Sequence, residues 1–95
     1  MAGYWIGMIN VTDPEKFKGY TELAPAAISK FGGKMLSRGG QMVVCEGAAP
    51  PGRVAIIEFK DVATAKACYD SPEYQAAKKA RDGAATAQFF IVESL

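Results

Sequence analysis

The sequence predicts an α+β fold in which helices cover one face of an antiparallel sheet. Three observations carry this. Runs rich in β-branched and aromatic residues are separated by helix-capping signals, the apolar residues between 17 and 31 recur at three-to-four spacing, and 95 residues suffice for one domain, 1–95. Hydrophobic residues make up 49% and charged residues 22%, so neither disorder nor a fibrous repeat is expected.

The first run, "YWIGMINV", reads as a strand and gives way at residue 13 to a helix. Thr12 or Asp13 can cap it, Pro14 suits its first position, and Glu15 favours the positive end of the dipole. Phe17, Tyr20, Ala24, Ala27 or Ile28, and Phe31 then form one apolar stripe, predicting a single helix bent at Pro25 and ended by Gly32-Gly33. "KMLSR", "GGQ" and "MVVCEG" read as two short strands joined by a hairpin at 39–41, or as one strand broken there by a bulge. After the loop "AAPPG", "RVAIIEF" is the clearest central strand. Asp61 caps a helix through Tyr69, Ser71-Pro72 restarts a second one ending near Gly83, and "AQFFIVE" closes the chain as a strand. The compact solution for this order is the ferredoxin-like βαββαβ arrangement.

In such a protomer the sheet face away from the helices should alternate to polar. It does not. One face of the first strand carries Tyr4, Ile6 and Met8, the other Trp5, Gly7, Ile9 and Val11; Val54 and Ile56 oppose Ala55, Ile57 and Phe59, and Phe89 and Ile91 oppose Phe90 and Val92. Two helical segments cannot cover both sides, so a homodimer with sheets packed face to face is expected.

Other classes fall away. Eleven basic against ten acidic side chains give a net charge of +1, too little to draw nucleic acid or an anionic membrane. The apolar run Tyr4–Val11 has no basic leader and is too short for a signal sequence or a membrane span, so a cytoplasmic location is expected. Cys45 and Cys68 make no CxxC and read as reduced, buried thiols. With no histidine, a Ser-His-Asp triad, a His-Cys dyad and most catalytic zinc sites are excluded. No P-loop, GxGxxG, GxSxG or calcium-loop pattern appears, and no cofactor or metal is expected.

Read as a whole, the chain resembles the family known as domain of unknown function 1330, within the dimeric α+β barrel superfamily. "GYWI", "VTDPEKFKGY", "KFGGKMLSRGG", "EG", "VAIIEF" and "YDSPEYQAAKKARDGAA" carry the resemblance in that order and spacing. It implies a ferredoxin-like protomer pairing into a dimeric barrel, and supplies no reaction. The superfamily includes cofactor-independent monooxygenases, isomerases, dehalogenase-like and haem-handling enzymes; this chain departs from the last in having no histidine to serve as axial ligand.

Five side chains are candidates for ligand binding: Tyr20, Arg38, Glu58, Tyr74 and Arg81. On a helix starting at Pro72, Arg81 lies about 10 Å along the axis from Tyr74 and leans back over Ala77, which would make a donor pair suited to a carboxylate or enolate. The plainer alternative pairs Arg81 with Glu46 or Glu58 and leaves Tyr74 at the core edge. Arg38, between an apolar strand and a glycine turn, either lines a cleft or is an exposed turn arginine. Tyr20 faces the sheet, where aromatic residues are more often core than site. Glu58 would enter the dimer space, either suited by desolvation to general-base work or paired with Arg38 or Arg81, within the protomer or across the dimer. Asn10 would bind a ligand carbonyl or water if it faced inward, or begin a turn. The function expected is that of a small homodimer, either a cofactor-independent enzyme acting on a small, partly apolar metabolite or a non-enzymatic metabolite-binding or stress-related dimer.

Overall fold

The computed structural model describes all 95 residues. The first apolar run forms β1 (Gly3–Val11), and the Asp13 carboxylate then accepts the Lys16 amide N–H at 3.2 Å to cap α1 (Pro14–Lys30). Pro14 occupies the first turn, where no N–H is required. α1 continues through Pro25, and its buried stripe is Phe17, Tyr20, Ala24, Ala27 and Ile28. β2 (Lys34–Arg38) and β3 (Arg53–Phe59) follow. Asp61 caps α2 (Val62–Asp70) by accepting the Thr64 N–H at 2.7 Å. Ser71 then ends α2 and starts α3 (Pro72–Ala80): its hydroxyl donates to the Cys68 carbonyl at 2.7 Å and accepts the Tyr74 N–H at 3.1 Å. β4 (Ala85–Glu93) closes the chain.

The strands form one antiparallel sheet in the order β2-β3-β1-β4, the ferredoxin-like arrangement the element order predicts. Trp5 stands opposite Ile57 and Ile91, and Ile6 opposite Ile56 and Phe90, so the register stacks like faces across three strands. Gly7 permits a close approach in the middle of β1: a Cβ there would overlap the Phe89 ring, which lies across its backbone. No helix is long and apolar enough to cross a membrane.

The helices cover the face that carries Trp5, Ile9, Ile57 and Phe59, all buried. Trp5 organises this core. Its ring stacks on Phe59 with centroids 5.6 Å apart and meets Tyr74, Tyr69 and Phe89 edge-on at 4.8 to 5.8 Å. Edge-to-face contacts of this kind add about 0.5–1.5 kcal/mol each beyond the area they bury. Across the sheet, Ile6, Met8, Val54 and Ile56 are half-buried, while Phe90 and Val92 remain nearly half exposed with no helix above them.

The segment after β2 departs from expectation. The bulge falls within β2, between Met35 and Ser37, rather than at 39–41, and "MVVCEG" is not a strand of this sheet. β2 and β3 last pair at Arg38 and Ala55, with the Gly39 N–H donating to the Val54 carbonyl at 3.0 Å. Residues 41–45 then run as an exposed arm carrying Met42, Val43, Val44 and Cys45. An apolar run becomes a strand only where a ladder partner stands beside it, and β3 is already flanked by β2 and β1. Cys45 is accordingly exposed rather than buried. Cys68 is buried as expected, its thiol 3.7 Å from the Ala27 carbonyl and pushed up to about 11 by burial and then by the Glu73 charge.

Candidate functional site

Between α1 and the covered face of the sheet lies a cavity of about 180 Å3. Phe17, Tyr20, Ala24 and Ile28 of α1 form its roof, which is why a helix stripe with two alanines leaves space below it. Ile57 and Phe89 lie on the strand side. Arg38 and Arg53 are its two cationic lining residues, and the lining contains no aspartate or glutamate. A wider, more open groove of about 450 Å3 adjoins at Phe17, Thr21 and Arg53, and adds Lys18.

Arg53 is held in place from several sides. Its guanidinium lies 5.2 Å from the centre of the Phe17 ring, and its stem lies against Gly39, where a Cβ would come within 3.0 Å of it. The preceding Gly52 has φ +69° and presses on the backbone of β1 at Ile9 and Asn10, so any side chain there would displace the turn that delivers Arg53.

Behind the cavity, Tyr20, Tyr74 and Arg81 form one buried cluster. The two hydroxyls are hydrogen-bonded at 2.7 Å. Arg81 caps α3, and its guanidinium is sandwiched 5.0 Å from the Tyr20 ring and 5.1 Å from the Phe89 ring. It is 8% exposed, has no carboxylate partner, and its Nε–H has no acceptor. Two ring faces and the negative end of the α3 dipole balance the buried cation instead, worth about 1–2 kcal/mol for each cation–π contact when desolvated. Burial holds the Tyr20 hydroxyl above the ordinary phenol range, partly offset by the Tyr74 hydrogen bond and the Arg81 charge. Tyr74 is raised further by burial and by Tyr20. Both are neutral at physiological pH, so the cluster can donate a hydrogen bond or hold a ring in position.

The five candidate residues therefore separate into three places. Tyr20 and Arg38 line the cavity, Tyr20 buried and Arg38 exposed at the end of β2. Tyr74 and Arg81 stand behind Tyr20, brought together as the α3 spacing predicts, with Tyr20 as the third member. Glu58 is half-buried on the opposite, uncovered face, paired in register with Tyr4 and Lys34, so the sheet itself separates it from the cavity. Within the protomer no ion pair joins Glu58 or Glu46 to the arginines; its three ion pairs, Lys18–Glu15, Lys30–Glu73 and Lys66–Asp70, all use lysines. Asn10 is exposed opposite Thr86 near the end of β1. Arg53 was not among the candidates, although strand alternation alone places it on the covered face with Ala55 and Ile57, an unusual position for an arginine.

Residues 2–95 match the family described as Domain of unknown function (DUF1330). The chain belongs to this family. The family's description carries no reaction, and no curated protein matches the chain. Solved structures share its fold: a protein of unknown function from Rhodopseudomonas palustris has a TM-score of 0.72 at 19% identity, covering 99% of this chain and 82% of that one. SnoaB, a cofactor-independent oxygenase from Streptomyces nogalater, has a TM-score of 0.66 at 13% identity, covering 99% and 93%. A dimeric protein of unknown function with a ferredoxin-like fold from Bacteroides fragilis has 0.65 at 16%, covering 98% and 96%. At these identities the likeness is one of fold.

Proposed function

We propose that this protein is a homodimer that takes up a small, partly apolar metabolite in the cavity between α1 and the sheet and acts on it without a cofactor. The observation that carries this reading is the cavity itself: an apolar chamber with a few placed polar groups, Tyr20, Thr21 and the two arginines, is the usual form of a small-molecule site. The dimeric state is supported by the uncovered apolar face, by the exposed arm 41–45, and by the dimeric Bacteroides structure of like fold. The cofactor-independent oxygenase among the solved structures supports the enzymatic form of the reading.

Tyr20 and Arg38 contact the ligand, Tyr74 and Arg81 fix the orientation of Tyr20, and Glu58 serves the space between sheets. A non-enzymatic, metabolite-binding dimer is the second reading. It is favoured by one feature of the lining: Tyr20 is protonated and already bonded to Tyr74, so no side chain there is set to take a proton at neutral pH. Native mass spectrometry of freshly purified protein tests both. A dimer carrying extra mass is expected, and conversion of the captured molecule on incubation in air would select the enzyme over the binder. A monomer would remove the dimeric reading.

A further inference from the structure

We propose that the ligand of the α1–sheet cavity is a compact monoanion: one ring, or an aliphatic body of similar size, bearing a single carboxylate held between Arg38 and Arg53. This rests on the cavity being the binding site. The size follows from the volume, since an apolar cavity of about 150 Å3 accepts benzene and this one measures about 180 Å3. A ring with one small substituent fills it.

The charge follows from the lining. Two exposed arginines border the cavity with no carboxylate in its lining to oppose them, and neither makes an ion pair within the chain. The sheet register places them together. Arg38 pairs with Ala55, and Arg53 lies two residues from Ala55 along β3 on the same face, a diagonal relation that sets the two residues about 7–8 Å apart with their Cβ atoms somewhat closer. An anion placed between two such guanidiniums relieves their mutual repulsion, and a carboxylate offers two oxygens for two forks. Arg53 is already pinned between Phe17 and Gly39, so little side-chain freedom remains to be lost on binding. The neutral Tyr20 hydroxyl adds no repulsion, and the walls at Phe17, Ala24, Ile28 and Ile57 suit an apolar body.

The test compares benzoate with benzamide, its neutral near-isostere, by calorimetry and thermal shift on the full-length protein at low salt. Benzoate is expected to bind at least about tenfold more tightly, the order of one charge-assisted contact. Arg38→Gln and Arg53→Gln should each erase that preference while leaving benzamide binding unchanged; Lys79→Gln, on the exposed side of α3, should alter neither. Equal binding of the two probes would overturn the inference and leave the cavity standing as a site. Failure of benzoate, benzamide and hexanoate alike to bind would overturn the cavity reading as well.

Discussion

The two faces of the sheet are built from the same kinds of residue and do different things. Under the helices, Trp5 packs against the rings of Phe59, Tyr69, Tyr74 and Phe89, and the space left over becomes a cavity with four polar residues in its lining. On the other side Ile6, Met8, Val54, Ile56, Phe90 and Val92 form an equally apolar surface with nothing above it. One face stabilises the protomer and shapes a site. The other has no use within the protomer, and polar residues, among them Tyr4, Lys34, Glu58, Asn10 and Thr86, mark its margins.

The largest effect that would break this comparison is Trp5→Ala, which removes the ring that four others contact; a loss of about 3–5 kcal/mol is expected in urea unfolding, and a loss below 1 would mean the covered face is not organised around it. Ile56→Asp probes the other face: an unpaired charge buried between sheets costs about 3–5 kcal/mol, so the dimer should dissociate by size-exclusion chromatography, whereas an unchanged mass would leave the open face without its assigned role. Tyr20→Phe sharpens the picture of the covered side. It leaves the buried Tyr74 hydroxyl without its partner at a cost of about 1–3 kcal/mol, and Tyr20→Phe/Tyr74→Phe together should cost less than the two singles summed.

Smaller effects separate the faces chemically. Tyr20, Tyr74 and Cys68 all have raised values in the folded state, so the unfolded chain gives up these protons first. Their contribution is fully present at neutral pH; the Cys68 part fades between pH 9, its unfolded value, and about 11, and the tyrosine parts above about pH 10. Alkaline melts of wild type and Cys68→Ala should differ in that window, and a flat difference would mean Cys68 is not desolvated when folded. Smallest is thiol labelling of the native protein. Cys45 on the arm should react and Cys68 should not, and protection of Cys45 that disappears in Ile56→Asp would place the arm in the dimer contact.

Most of the fold was legible because its signals are local. Asp13, Asp61 and Ser71 cap the helices the sequence assigns to them, and strand alternation sorted the two faces correctly. The arm was not, because whether "MVVCEG" pairs depends on which edges are vacant, a property of the whole sheet. The site was legible in part. Helical spacing joins Tyr74 to Arg81, but Tyr20 reaches them from 54 residues away, and nothing in the spacing records that hydrogen bond. Arg53 went unread although its parity pointed inward, because a strand-opening arginine resembles ordinary punctuation until its neighbour on β2 is known.

The position of β1 constrains how the chain can be made. Its two ladder partners are β3 and β4, and the Ser94 N–H donates to the Ala2 carbonyl at 2.9 Å, so β1 is completed by a strand distant in sequence. During translation, at roughly 5–20 residues per second, Trp5 and its neighbours wait several seconds for both edges to be closed. Closing the sheet is therefore limited by contacts distant in sequence, and a chain shortened before residue 85 would leave β1 without one of its two ladder partners.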